Sequence, residues 1–390
     1  MRVLAAIVLL LMGVASAQVP AFKTQEIDAS LKIGYGVLLV DINADQKPDI
    51  VVCDKERVIW FENPTWNLRV ITEGKTAPDN VCIDAHDIDG DGTLDLALGA
   101  NWQPSNTKDH STLQWLRRGK TLDDSWEIFP IAYNEPTLHR MRFADVDGSG
   151  KKVLVTVPLM GRGTTKSNSW NEAGVRVELR TIPPDPTKFE WPAETITQSP
   201  HVAHNVVISR GRMYIASFEG VTMLQRLENG SWSERLAVPG DQKSFVDNTG
   251  ASEVKVGHFT PRGAFIATIE PWHGHQVVAY PFVPPNPPRI VIDDQLRLGH
   301  AIWCADLDAD GNDEIIVGVR DPLPGKAKSG VRVYRAADAT GTKWNKSELD
   351  PGGVAVEDLA VADLNGDHKP DIVAVGRQTQ NVRIYWNQGK

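Results

Sequence analysis

Two sets of residues in this 390-residue sequence have the types and spacing to do chemistry. The first is a series of short loops with oxygen-bearing side chains at alternate positions. "DINADQKPD" offers Asp41, Asn43, Asp45 and Asp49 at positions 1, 3, 5 and 9, and "DIDGDGTLD" offers Asp87, Asp89, Asp91 and Asp95. "DLDADGNDE" offers Asp306, Asp308, Asp310 and Glu314, and "DLNGDHKPD" offers Asp363, Asn365, Asp367 and Asp371. Carboxylate and amide oxygens spaced this way suit calcium. A helical calcium sensor also needs a bidentate Glu at position 12. Position 12 of the second loop is Leu98, and "LDLALGA" reads as a buried strand. The acid at position 9 is therefore expected to close the cage, in a loop that joins strand to strand. A fifth copy, "DVDGSGKKV" at Asp145, has Ser149 and Val153 at positions 5 and 9 and is a weak match.

The second set is rich in histidine. His139 lies six residues before Asp145, His300 six before Asp306, and Glu357 six before Asp363, followed by Asp358. "HVAHNV" contributes His201 and His204, "GASEV" Glu253, "SFEGV" Glu219, and "IEPWHGH" Glu270, His273 and His275. Arg140, Arg142 and Arg162 and the aromatics Trp102, Trp170 and Trp272 sit nearby in sequence. Imidazoles with carboxylates can bind a transition metal such as Zn2+, or they can move protons. His139, His204, Glu219, Glu270, His273, His275 and His300 are the candidate catalytic residues. His139 and His300 are read as metal or substrate ligands and His273 as the proton-transfer residue. His86, directly before Asp87, is expected to orient that acidic loop.

These residues need a scaffold that repeats. The acidic loops begin 46, 58, 161 and 57 residues apart, so the long gap holds two further copies without the aspartates. A second signal recurs seven times: "VIWFEN", "LQWLRR", "VRVELR", "VTMLQR", "VVAYPF", "VRVYRA" and "VRIYWN". A period near 50 residues with four strand signals per unit describes propeller blades. The fold class is all-β, a seven-bladed propeller over residues 18–390. The last unit stops after its third strand, and "FKTQEID" (Phe22 to Asp28) is a surplus strand at the start. The N-terminal strand is expected to complete the last blade and so remove an open sheet edge. Adjacent strands of a blade run antiparallel. The acidic loops follow the innermost strands, so they share one face. The residues that begin those strands, and the loops after the second strands, surround the axis on the other face. Most of the histidines fall there.

Composition sets the surroundings. "MRVLAAIVLLLMGVASAQ" has a basic start, a short apolar run and a small-residue cleavage site, the pattern of a secretory signal over residues 1–17. Secretion or a periplasmic location is expected, with no membrane span. A net charge of -9 argues against a nucleic-acid partner. Three cysteines, in apolar runs, read as buried thiols.

The acidic loops resemble the FG-GAP or VCBS repeat of calcium-binding propellers, where the ion is structural. "LHRMRFADVDG", "VAHNVV", "IEPWHGHQVVAY", "GHAIWCADLDADGNDEIIVG" and "DLNGDHKPDIVAVGR" resemble the propeller domain of the aldos-2-ulose dehydratase family. That resemblance implies a lyase that eliminates water from a keto sugar such as 1,5-anhydrofructose, with a small carbohydrate as its partner. It also implies a base beside the carbonyl, a cation or hydrogen-bond donors on the enolate, an acid for the leaving hydroxyl, and tryptophans stacked on the sugar. The family's fungal enzyme carries cupin domains after its propeller, and this sequence ends at Lys390. A function that needs both parts is therefore expected to be absent. The competing expectation is a non-catalytic exported module that binds glycans or protein partners.

Overall fold

The structure is a computed structural model, which describes residues 20–243, 248–260, 263–282, 287–320, 328–338 and 340–389. The secretory signal expected over residues 1–17 lies outside them. Within a blade, the strands sort by burial. Second strands such as Asp49–Cys53, Asp95–Ala100, Glu314–Val319 and Asp371–Gly376 are buried along their whole length, because neighbouring blades cover both sheet faces. Their sequences are accordingly near-continuous apolar runs. Fourth strands such as Asn67–Glu73 and Trp344–Asp350 mix exposed polar positions with a few buried ones, as an outer edge requires.

The described residues form seven four-stranded antiparallel sheets. The innermost strands, in order, are Gly36–Val40, Cys82–His86, Leu138–Ala144, Asn205–Ser209, Glu253–Phe259, Gly299–Ala305 and Val356–Ala362, and they define blades 1 to 7. Each packs beside the innermost strands of the adjacent blades, which closes the ring around an axial channel. The two copies without aspartates are blades 4 and 5. The outermost strand of blade 7 is Phe22–Asp28, antiparallel to Val382–Asn387 with Phe22 opposite Asn387 and Asp28 opposite Val382. Asn381 and Arg383 both donate to Glu26, at 2.7 and 2.9 Å, and Trp386 Nε1 donates to Gln25 at 2.8 Å. Other staples join neighbouring blades. Tyr334 Oη donates to Asp293 at 2.6 Å and Tyr385 Oη to Asp350 at 2.5 Å, each pair linking a third strand to the end of the preceding blade. No helix among the described residues is long and apolar enough to cross a membrane.

Candidate functional site: a histidine cluster on the channel axis

The acidic loops come first, because they set which face is which. In all five, the position-1 aspartate accepts backbone N–H groups further along its own loop, as Asp87 does from Gly90 (2.8 Å) and Gly92 (3.0 Å). Positions 4 and 6 are left-handed throughout. Glycine fills both in the Asp87 and Asp145 loops, whereas Ala44, Gln46, Ala309 and His368 take that conformation elsewhere. The Asp145 loop thus keeps the backbone of the others without their full ligand set. The position-9 acid does more than face the loop. Asp49 is buried, accepting N–H from Ile42 with one oxygen (2.9 Å) and from Asn63 with the other (2.8 Å). Asp95 and Asp371 make the same pair of bonds to their own loop and to the end of the third strand. Burial raises all three to about 6, and Glu314 to about 8.

Asp87, Asp89 and Asp95 present oxygens within 4.8 Å of one another, as do Asp306, Asp308 and Glu314. The blade 6 loop differs from the rest. The Arg335 guanidinium lies in it, paired with Asp308 at 2.9 Å, with Glu314 at 3.5 Å, and with Asp310. His86 packs its ring against Phe143, 5.1 Å between centroids, at the start of the Asp87 loop.

On the opposite face four imidazoles meet. His139, His204 and His300 stand at or beside the first residue of the innermost strands of blades 3, 4 and 6. His273 enters from the turn after the second strand of blade 5. That turn is tight: a Cβ at Gly274 would lie 2.1 Å from the Glu270 carbonyl oxygen, and His273 itself has φ +49°. A strained histidine held by an obligatory glycine is a costly arrangement that folded structure must over-determine. The His204 ring lies 4.4, 4.5 and 5.0 Å from those of His139, His273 and His300.

The hydrogen bonds orient the rings. His139 Nδ1 donates to the His204 carbonyl at 2.8 Å, and His300 Nδ1 donates to the Glu357 carbonyl at 2.6 Å. A carbonyl can only accept, so both rings carry their proton on Nδ1 and leave a lone pair on Nε2. His204 Nδ1 pairs with Glu253 at 2.8 Å, and Asn205 donates to the other Glu253 oxygen. His204 Nε2 and His273 Nε2 face each other at 2.8 Å. Burial first, and then nearby positive charge, hold all four histidines well below their ordinary range. Arg140 is the main such charge at His139 and His204, and Arg320 at His300. Burial pushes Glu253 up to about 7.

His204, His273 and His300 offer one nitrogen each within 4.8 Å. Neutral imidazoles tied at Nδ1 to a carboxylate or a carbonyl are the usual ligands of zinc-like ions, so this donor set fits a transition metal. His139 falls outside it, because its Nε2 faces Arg140 Nη1 at 3.3 Å. Trp272 stacks on His273 with centroids 3.8 Å apart, and Trp102 lies 4.9 Å from His139. Across the channel Glu357 pairs with Arg377 at 2.8 Å and with Arg320 at 3.5 Å.

The remaining candidates lie apart from the four rings. Glu270 is fully buried and bonded to Thr268, Tyr280 and Arg289, a bridge that ties its own blade together. Glu219 binds His201 Nδ1 at 2.8 Å and Ser217, forming a separate pair on the rim. His275 stands outside the metal-spaced trio, and its carbonyl accepts from Leu296. Arg320 and Arg377 escaped the sequence reading. Each directly follows a second strand, the same offset that singled out the "EPWHGH" loop, and that offset was the available signal.

Comparison with known proteins bears on the propeller. Residues 41–98 and 306–374 match the FG-GAP-like repeat, and residues 111–282 match the aldos-2-ulose dehydratase β-propeller domain. Aldos-2-ulose dehydratase of Phanerodontia chrysosporium is 26% identical over 266 residues, covering 61% of this chain and 29% of that protein. The chain thus aligns with less than a third of that relative's length. In fold it is similar to a chain in a crystal structure of the mitotic checkpoint complex, with TM-score 0.60 and 10% identity over the full length of both. It is also similar to a chain in a crystal structure of BBS1N in complex with ARL6DN, with TM-score 0.53 and 13% identity over 95% of this chain and 96% of that one. The chain is a seven-bladed propeller with FG-GAP-like repeats, similar to the propeller domain of aldos-2-ulose dehydratase.

Proposed function

We propose that this protein is an exported carbohydrate lyase that eliminates water from a keto sugar such as 1,5-anhydrofructose at the histidine cluster. The observation that carries the reading is the convergence of His204, His273 and His300, from three different blades, with Nδ1 of His204 and His300 already engaged. These three would hold a zinc-like ion, which supplies Lewis acidity toward a carbonyl and its enolate when bound. His139 stands beside them neutral, and its Nε2 would exchange its 3.3 Å contact with Arg140 for the proton next to the carbonyl. Arg140, adjacent to that nitrogen, favours negative charge developing on substrate oxygen. Trp272 and Trp102 offer aromatic faces to the sugar ring. Glu253 fixes the tautomer of His204 from behind, as a positioning residue. On the other face, the loops at Asp41, Asp87, Asp306 and Asp363 would hold calcium in a structural role.

The test is metal analysis of chelated and reloaded protein alongside turnover of 1,5-anhydrofructose, followed as loss of one water by mass. The expected result is stoichiometric zinc, iron or manganese, with elimination that depends on it. His300→Ala should lower both by at least about 100-fold while the melting transition persists. Protein that binds only calcium and leaves the sugar unchanged would point instead to a glycan- or protein-binding propeller, the reading that FG-GAP-like repeats alone favour.

A further inference from the structure

Between the histidine cluster and the acidic loops, the axial channel widens into a cavity of about 200 Å³. Arg140, Arg142, Lys255, Trp303 and Asp358 line it, with backbone from the innermost strands of blades 1 and 2. The three cations come from blades 3 and 5. Arg140 Nη1 donates to the carbonyl of His139 at 3.0 Å, and Arg142 Nη1 to that of Met141 at 2.7 Å. Lys255 Nζ lies 4.1 Å from the centre of a Trp303 ring. Among the described residues none of the three forms an ion pair within 4.0 Å. The carboxylates near them attract these cations from beyond 4.0 Å and make their hydrogen bonds elsewhere. Asp358 accepts N–H from Val37 (3.1 Å) and Leu359 (3.0 Å), and Asp84 accepts N–H from Phe143 (2.6 Å). Glu253 is held by His204 and Asn205.

Positive charges in a partly closed cavity are costly, and three of them lining one space with a single lining carboxylate, Asp358, repel one another more than that carboxylate offsets. A bound cation would worsen this, and a neutral sugar would leave it unrelieved. Two guanidinium forks and an ammonium directed at one space match the lone pairs of a planar or tetrahedral oxyanion. We propose that this cavity is a binding site for a small oxyanion, a carboxylate or a phosphate, held by Arg140, Arg142 and Lys255. It adjoins the histidine cluster through Arg140, which also faces His139, but uses none of the metal-spaced histidines or the acidic loops, and it holds whether or not the protein is a lyase.

The test uses the full chain in chloride-free buffer, titrated in parallel with inorganic phosphate and with a hexuronate. Thermal melting and calorimetry are the readouts. A saturable rise in melting temperature with either anion is expected, because a ligand bound only by the folded state stabilises it. A response to phosphate alone assigns the inorganic ion, and a response to the hexuronate assigns a sugar acid. Lys255→Met should bind at least about tenfold more weakly, yet melt no lower than the parent without anion, because it removes one of three like charges around the cavity. Arg142→Gln provides the same comparison should Lys255→Met not fold. The proposal is overturned if neither anion gives a saturable shift, or if parent and variant respond alike. A shift that grows linearly with concentration in both proteins is general salt exclusion from the surface and also overturns it.

Discussion

At the scale of single residues, the cluster is governed by protonation. His139 is neutral in the folded protein well below pH 6.5, because burial and Arg140 oppose its charge. The unfolded chain takes up that proton near pH 6.5, so as pH falls below this value the unfolded state binds more protons and the fold loses stability. Replacing His139 with Gln removes this penalty. Relative to the parent, the variant should gain stability steadily as pH drops below 6.5, with a constant difference above it. Urea unfolding of metal-free protein from pH 4 to 8 measures this, and a pH-independent difference would mean that His139 titrates alike in both states. Glu253 has the opposite sign. Its pKa rises from 4.5 to about 7, so it costs stability as pH rises through that interval. The pair it forms with His204 is thus disfavoured as an imidazolium–carboxylate ion pair.

At the scale of elements, second strands also pack against the innermost strand of the next blade, and glycines there allow a close approach. A Cβ on Gly318 would sit 2.3 Å from Val356 Cγ1 on the next innermost strand, and one on Gly99 would meet Cys82 Sγ at 2.7 Å and Leu138 Cδ2 at 2.9 Å. Gly318→Ala should therefore cost about 1–3 kcal/mol through overpacking. Denaturant unfolding should show a lower midpoint with an unchanged slope. The acidic loops present a different constraint, since nothing crowds Gly90 and its cost is conformational. It has φ +77°, and a Cβ added there would meet no atom within 4 Å. Gly90→Ala should cost about 1–2 kcal/mol, while His368→Gly, at the equivalent strained type of position, should be neutral or slightly stabilising.

At the scale of the whole molecule, the two faces of the disc are loaded differently. One carries acidic loops that hold their own shape through backbone hydrogen bonds, and the other carries imidazoles that need several blades to meet. Chelation should therefore lower the melting temperature without dispersing the sheets. Each calcium present at about 100 times its dissociation constant contributes about 2.7 kcal/mol. Scanning calorimetry in chelator and in calcium reads this directly, and identical curves would count against structural calcium. The blade 6 loop should respond least, because Arg335 already neutralises Asp308, Asp310 and Glu314. Arg335→Met should increase calcium binding by that loop.

Local pattern alone determined the blades, their number, the closing strand and the faces. Each of these depends on hydrophobic runs, a repeat length and antiparallel neighbours, all of which are written in consecutive residues. The rim was legible too, since His139 and His300 hold the second position of their innermost strands and His204 directly precedes its own. Which histidines meet as a trio was decided by tertiary structure. Ring orientation depends on partners 49 to 69 residues away in sequence, such as Glu253 and His273 around His204, and on the carbonyl of Glu357 at His300. The same holds for the carboxylates that local reading placed at the site. Glu270 turned inward to Tyr280 and Arg289, and Glu219 to His201, because a buried carboxylate goes to the donors that packing places beside it. Arg140 and Arg142 stood out only as neighbours of a histidine, and Lys255 not at all. Only closure of the ring brings the two arginines of blade 3 and the lysine of blade 5 around one cavity.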